Sequence, residues 1–106
     1  MTIVEIRVNC PTRESAERIA DHLVAERLAA CANIHPAIDS RYRWKGRVQT
    51  EPEVPLLIKT RVSLGDRVEA AIRDLHPYET PGIIRVAIDA ANSDYVDGVH
   101  AETVDP

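Results

Sequence analysis

Apolar residues in this chain repeat first with period two and then with the helical period, and the order of those switches constrains the fold more than any single motif. Val4, Ile6, Val8 and Cys10 alternate with Glu5, Arg7 and Asn9 up to Pro11, the pattern of a half-buried strand. Thr12 is placed to cap a helix. Ala16, Ile19, Ala20, Leu23, Val24 and Leu28 then share one helical face while Arg13, Glu17, Arg18 and Glu26 take the other, which predicts a helix over 13–28. From Cys31 to Val62 the helical period disappears among β-branched and aromatic residues punctuated by Pro36, Gly46, Pro52 and Pro55. That stretch reads as two strands joined by a tight turn at Lys45-Gly46, with glycine supplying the positive φ. Ser63-Leu64-Gly65-Asp66 has the outline of a capping box, and Leu64, Val68, Ala71, Ile72 and Leu75 continue at helical spacing to Pro77. Ile84, Val86 and Ile88 alternate with Arg85, Ala87 and Asp89 as a last strand, and 92–99 reads as a short helix before a polar tail from about residue 100.

The order is βαββαβ plus a terminal helix, in two βαβ-like halves of similar length. It predicts an α+β, ferredoxin-like sandwich, with an antiparallel four-stranded sheet and both long helices on one face. At 106 residues and 44% hydrophobic content, the chain fits one domain over 1–106. The central hairpin is the unusual part, because its arms of about a dozen residues exceed the usual 5–6 and outrun the first strand. Part of it must project, carrying Tyr42 and Trp44 on one face. An exposed ribbon with large aromatics predicts cover by another chain.

Composition removes several classes of function. Thirteen basic against 17 acidic residues give a net charge of −4, with no basic run, so nucleic acid is not an expected partner. No apolar run approaches the ~20 residues that cross a bilayer, and Met1-Thr2-Ile3-Val4-Glu5 has neither a basic nor an apolar leader segment, so a cytoplasmic protein without a membrane partner is expected. Cys10 and Cys31 lack zinc or redox spacing and read as small packed side chains. Four glycines, at 46, 65, 82 and 98, cannot build a P-loop or a Gly-x-Gly-x-x-Gly turn.

The most chemically loaded stretch is Leu75-His76-Pro77-Tyr78-Glu79-Thr80-Pro81. Pro77 forces His76 out of the helical region, so the second helix must stop there and Tyr78-Glu79 must lie in a stiffened loop.

Together with Glu26-Arg27-Leu28-Ala29-Ala30-Cys31-Ala32-Asn33, Tyr42-Arg43-Trp44-Lys45-Gly46, Leu57-Ile58-Lys59-Thr60, and Asn92 with Tyr95, this loop resembles the CutA divalent-cation tolerance family. The resemblance runs from the first strand to about Tyr95. It implies a tight homotrimer, similar in outline to the PII signalling proteins, in which long hairpins extend sheets across neighbours. It also implies a cavity between subunits to which Cys31, Lys59, His76, Tyr78 and Glu79 contribute, with Trp44 from the hairpin, and a link to tolerance of copper and other divalent ions. The chain departs from the family pattern at Gly82, where an acidic residue is usual, at Gly98, where a large apolar residue is usual, and at Pro55, which suggests a bulge or an edge position in the third strand. The family's proposed copper ligands also include a histidine where this chain has Leu75, and a strand-one cysteine whose nearest counterpart is Cys10.

Copper(II) favours imidazole with carboxylate partners, which makes His76 and Glu79 the expected metal ligands, with binding weakened by acid as protons compete for the ring. Lys59, one of two lysines, reads as the partner of an anion or carboxylate such as Glu79. Cys31 has no nucleophile–base partner in the sequence and is read as packing. His22 is read as a solvated or half-buried helix residue, and His35 and His100 as surface residues. The expected function is a homotrimeric divalent-cation tolerance protein binding copper(II) or another divalent cation at or near the cavity. The alternative is a PII-like regulatory module that binds a small anionic ligand or a protein partner. With no catalytic pair and no cofactor motif, the chain is not expected to be an enzyme.

Overall fold

The computed structural model describes residues 1–105, so Pro106, the last residue of the expected polar tail, lies outside the described residues. The elements are β1 (Ile3–Cys10), α1 (Arg13–Ala25), β2 (Cys31–Ile34), β3 (Ile38–Trp44), β4 (Arg47–Arg61), α2 (Gly65–Leu75), β5 (Ile83–Ala87) and α3 (Ser93–Glu102). The strands pair antiparallel in the order β2-β4-β1-β5, and β3 pairs with the outer part of β4. This is the ferredoxin-like α+β topology. The core lies between the sheet and the α1–α2 layer: Ile6, Leu56, Ile58, Ile19, Leu23 and Ile72 are fully buried, each contributing roughly 1.5–3 kcal/mol of transfer free energy.

Helix α1 starts as its sequence requires. Thr12 Oγ1 accepts the Ser15 N–H at 3.1 Å and Ser15 Oγ accepts the Thr12 N–H at 3.2 Å, a reciprocal capping box. It ends three residues short of the expected Leu28. Arg27 takes φ +58°, the Leu28 N–H reaches the Leu23 carbonyl at 2.9 Å and the Arg27 N–H reaches Val24 at 3.1 Å, which together form a Schellman stop without glycine. The side chain of Arg27 donates to the carbonyls of Ala101 and Glu102, and its own carbonyl accepts from Val104 N–H at 2.9 Å. Contacts from the far end of the chain thus hold a non-glycine residue in the left-handed region.

The expected second strand is two strands. Pro36 lies in the break between β2 and β3, and the pairing with β4 slips by one residue across it, from Ile34↔Leu56 to Ile38↔Glu53. Pro55 stands at the expected bulge, which lies in the facing β2–β3 edge and leaves β4 continuous. It pairs with Asn9 of β1, and its carbonyl accepts from His35 N–H at the slip. In a strand the N and C=O of one residue point to the same side, so the missing N–H of Pro55 falls on the bulged side, where the ladder is already broken. The outer arm of the hairpin, 47–53 of β4, lies beyond the last β1 pair, Cys10↔Val54, and has only β3 as partner. Lys45 and Gly46 turn it with φ +50° and +77°.

The capping box at Ser63 does not form. The chain leaves β4 through a 3-10 turn over Val62–Leu64 that buries Leu64, and α2 begins without a side-chain cap. Its C-terminal end agrees with expectation: His76 is extended at φ −74°, ψ 136°. Helix α3 passes through Gly98, buries Val99 and is held by Arg61, whose guanidinium donates to the His100 carbonyl at 2.6 Å and to Thr103 Oγ1 at 2.8 Å.

Candidate functional site

The face of the sheet opposite α1 and α2 carries the odd-numbered side chains of β1 and β4, and all the candidate residues except His76 gather there or in the adjoining loop. They form two groups rather than one.

His76 is buried in the floor. Its Nδ1 accepts the Tyr78 N–H at 3.0 Å, which leaves the proton on Nε2 to be donated to the Asn9 carbonyl at 2.8 Å. Its ring lies against that of Tyr78, with centroids 4.7 Å apart. Both ring nitrogens are therefore occupied by backbone groups. His76 pins the loop to β1, and Arg18 supports the same turn by donating to the Leu75 carbonyl at 3.1 Å.

The pinned loop presents Tyr78, whose hydroxyl donates to Glu53 Oε2 at 2.9 Å. Burial, reinforced by the Glu53 carboxylate, pushes the Tyr78 phenol far above its ordinary value of 10, so it stays a donor. Tyr42 donates similarly to Glu51 Oε2 at 3.1 Å. Tyr42, Trp44, Glu53, Tyr78 and the exposed Glu79 line a groove of about 810 Å³ between the loop, the hairpin and the end of β1, walled by Val8, Pro81 and Ile84. Gly82 also lines it, with open space where a side chain would project.

Cys31 and Lys59 are cross-strand neighbours in a second group. Lys59 Nζ lies 3.3 Å from Glu5 Oε1 and 3.0 Å from Asn33 Oδ1, so the expected partnership with Glu79 is replaced by one with Glu5. Arg7 Nε holds the other oxygen of Glu5 at 2.7 Å. Burial alone would raise the Glu5 carboxyl, but Arg7 and Lys59 outweigh it and hold the carboxyl below its ordinary 4.5. Cys31 Sγ lies 3.7 Å from Tyr95 OH, and burial together with that thiol pushes the Tyr95 phenol up to about 12. Cys10 lies in the core, where burial, aided by the Glu53 carboxylate, pushes its thiol up to about 11. Arg7 links the groups, since it lines the groove while holding Glu5.

Sequence reasoning missed Glu53, Glu5 and Arg7. A signal for Glu53 was present: counting back from Lys59 in steps of two along one strand face gives Leu57, Pro55 and Glu53.

Within one chain these donors do not fit a divalent ion. Among the described residues no three of His, Cys, Asp or Glu converge as a ligand set, and the one imidazole in the site has no free nitrogen.

A ferredoxin-like sheet with two helices on one face, a polar and aromatic opposite face and a projecting hairpin defines the structural class of the protein. Residues 4–102 match the family described as CutA1 divalent ion tolerance protein. The chain is 41% identical over 95 residues to the divalent-cation tolerance protein CutA of Pyrococcus horikoshii, covering 88% of this chain and 90% of that one. It is 40% identical over 96 residues to Protein CutA of mouse, covering 91% of this chain but 54% of the mouse protein, so it spans about half the length of that relative. The crystal structure of CutA1 from Oryza sativa superposes with a TM-score of 0.95 at 36% identity, over 100% of this chain and 97% of that one. The chain belongs to the CutA1 divalent ion tolerance family, as its five sequence blocks implied.

Proposed function

We propose that the chain works as a homotrimer in divalent-cation tolerance, holding copper(II) or another divalent ion at or near a cavity completed between subunits. The observation that carries this reading is the apolar surface on the open sheet face and the hairpin. Ile84 is 61% exposed, Val48 64% and Trp44 46%, and β3 is an edge strand with one partner. Exposed apolar groups beside open ladder atoms favour cover by another chain. A long hairpin that reaches past its own sheet supplies a head-to-tail contact, which closes as a ring.

Because the donors of one chain do not converge, the ion in this reading is held by groups from more than one copy. Glu79, exposed on the groove rim, is the assigned carboxylate. His76 joins only by releasing the Tyr78 N–H from Nδ1. A cytoplasmic setting belongs to the same reading, since Cys10 and Cys31 are free thiols. The test is a calorimetric copper(II) titration of the assembled protein beside Glu79→Gln. Tight binding at less than one ion per chain, lost in the variant, supports the reading; equal, weak binding by both proteins overturns it.

A second reading, a PII-like regulatory module that binds a small ligand or a protein partner, is favoured by the groove itself. Its volume of about 810 Å³ falls within the ~300–1,000 Å³ of small-molecule sites, and Tyr78 is fixed in it from both ends.

A further inference from the structure

We propose that the groove binds a small organic cation, an alkylammonium or similar group, with Glu53 as counter-charge and Tyr78, Tyr42 and Trp44 as its aromatic walls. The inference rests on the ligand-binding reading above and reverses the sign of the small anionic ligand that the alternative sequence reading named.

Glu53 is the starting observation. It is 7% exposed, the only buried carboxylate among the described residues, and it forms no ion pair there; its partner is the neutral Tyr78 hydroxyl. Buried carboxylates are rarely left without a cation, because desolvating an uncompensated charge is expensive. The cations nearby do not fill the role. Lys59 and Arg7 are both held by Glu5, and Arg41, which also lines the groove, is exposed to solvent.

The walls supply the second observation. The chain has only four aromatic residues, one Trp and three Tyr, and three of them line this groove. A cation over aromatic faces is held by the ring quadrupoles, most strongly where water is excluded, and quaternary ammonium groups are recognised in this way. A divalent metal needs converging oxygen or nitrogen donors, which the groove lacks; an organic cation needs one carboxylate and π faces, which it has. Tyr78 is already fixed by His76 at its N–H and by Glu53 at its hydroxyl, so little ordering cost remains to be met on binding.

The test is calorimetry on the full chain with choline chloride, with the uncharged isostere in which carbon replaces the quaternary nitrogen, and with phosphate and citrate as anions. Choline binding that weakens about tenfold or more in the isostere, in Glu53→Gln and in Tyr42→Ala is expected, the scale of one desolvated charge contact. Tyr42 is half-buried and its hydroxyl donates to Glu51, so Tyr42→Ala keeps the test meaningful if Glu53→Gln folds poorly. Equal binding of choline and its isostere overturns the proposal. Binding of the anions alone overturns it while leaving the ligand-binding reading intact, and no response to any of them overturns both. A choline-silent protein in which Glu53→Gln weakens self-association assigns the counter-charge to a second copy, and the proposal then falls.

Discussion

Replacing His76 by alanine separates a structural pin from a metal ligand. The substitution removes the bond from Nε2 to the Asn9 carbonyl at 2.8 Å and the bond from the Tyr78 N–H to Nδ1 at 3.0 Å. Each is worth about 0.5–1.5 kcal/mol net, and a buried donor left without a partner costs a further ~1–3 kcal/mol. Asn9 is exposed and its carbonyl can recruit water, so only the Tyr78 N–H carries that extra cost. Those ranges span about 2–6 kcal/mol, and because Tyr78 is only half-buried the total falls in the lower part, about 3 kcal/mol, before any loss of ring contact with Tyr78. For a domain of this size that corresponds to a fall in Tm of about 12–24 °C. The assay is thermal unfolding in the presence of a chelator, at one protein concentration for both proteins, because assembly makes Tm concentration-dependent. Hydrogen exchange adds a local readout: the Tyr78 amide is protected in the wild type and should exchange faster in the variant. A Tm unchanged within about 2 °C, with Tyr78 protection intact, would refute the assignment of His76 as the pin and return it to the role of a free ligand.

Three further substitutions test the same geometry. Lys59→Ala strands Glu5 beside Arg7 alone and should cost about 1–2 kcal/mol, against under about 0.5 for Arg13→Ala in its exposed helix pair; equal losses in denaturant melts would refute the outer-face network. The Glu5 carboxyl is held below its ordinary 4.5, so its contribution is present above that value and lost as pH falls through the lower folded-state value. Glu5→Gln should therefore flatten the acid limb of the stability curve below about pH 4.5, and an unchanged limb would contradict the pairing. Arg27→Ala removes two bonds to the carbonyls of α3 while keeping an unfavourable φ of +58°. It should destabilise by about 1–2 kcal/mol and expose the 99–104 segment to faster proteolysis.

The legible parts of the fold are those fixed by local rules. Alternation placed β1, Thr12 placed the start of α1, Pro77 stopped α2 at His76, and Lys45-Gly46 placed the hairpin turn. The parts that went unread depend on partners distant in sequence. Arg27 carries no local mark of a helix stop, since its left-handed φ is held by Ala101, Glu102 and Val104. Pro36 was visible as a breaker, but the one-residue slip it introduces, and the way that slip excuses Pro55, exist only once β2, β3 and β4 are paired. Ser63 matched a capping pattern that burial of Leu64 overrode.

The candidate site divides in the same way. The His-Pro-Tyr loop was recognisable from residue types. The occupancy of both His76 nitrogens was not, because the partners are backbone atoms, one of them 67 positions away. Lys59 was read as the partner of an anion or of a carboxylate such as Glu79; it pairs with Glu5, and register set that choice, since Glu5 lies directly across the ladder from it. Glu53 escaped notice because a glutamate near a hairpin ordinarily points to water, and only the packed loop shows it buried.

The central claim, that this chain works as a ring of three copies closed by its hairpins, is tested most directly by native mass spectrometry at micromolar concentration with sedimentation velocity as a cross-check. A single species of three chains is expected, one that persists on dilution and loosens when Trp44 and Val48 are both replaced by polar residues. A monomer across the whole concentration range would contradict it.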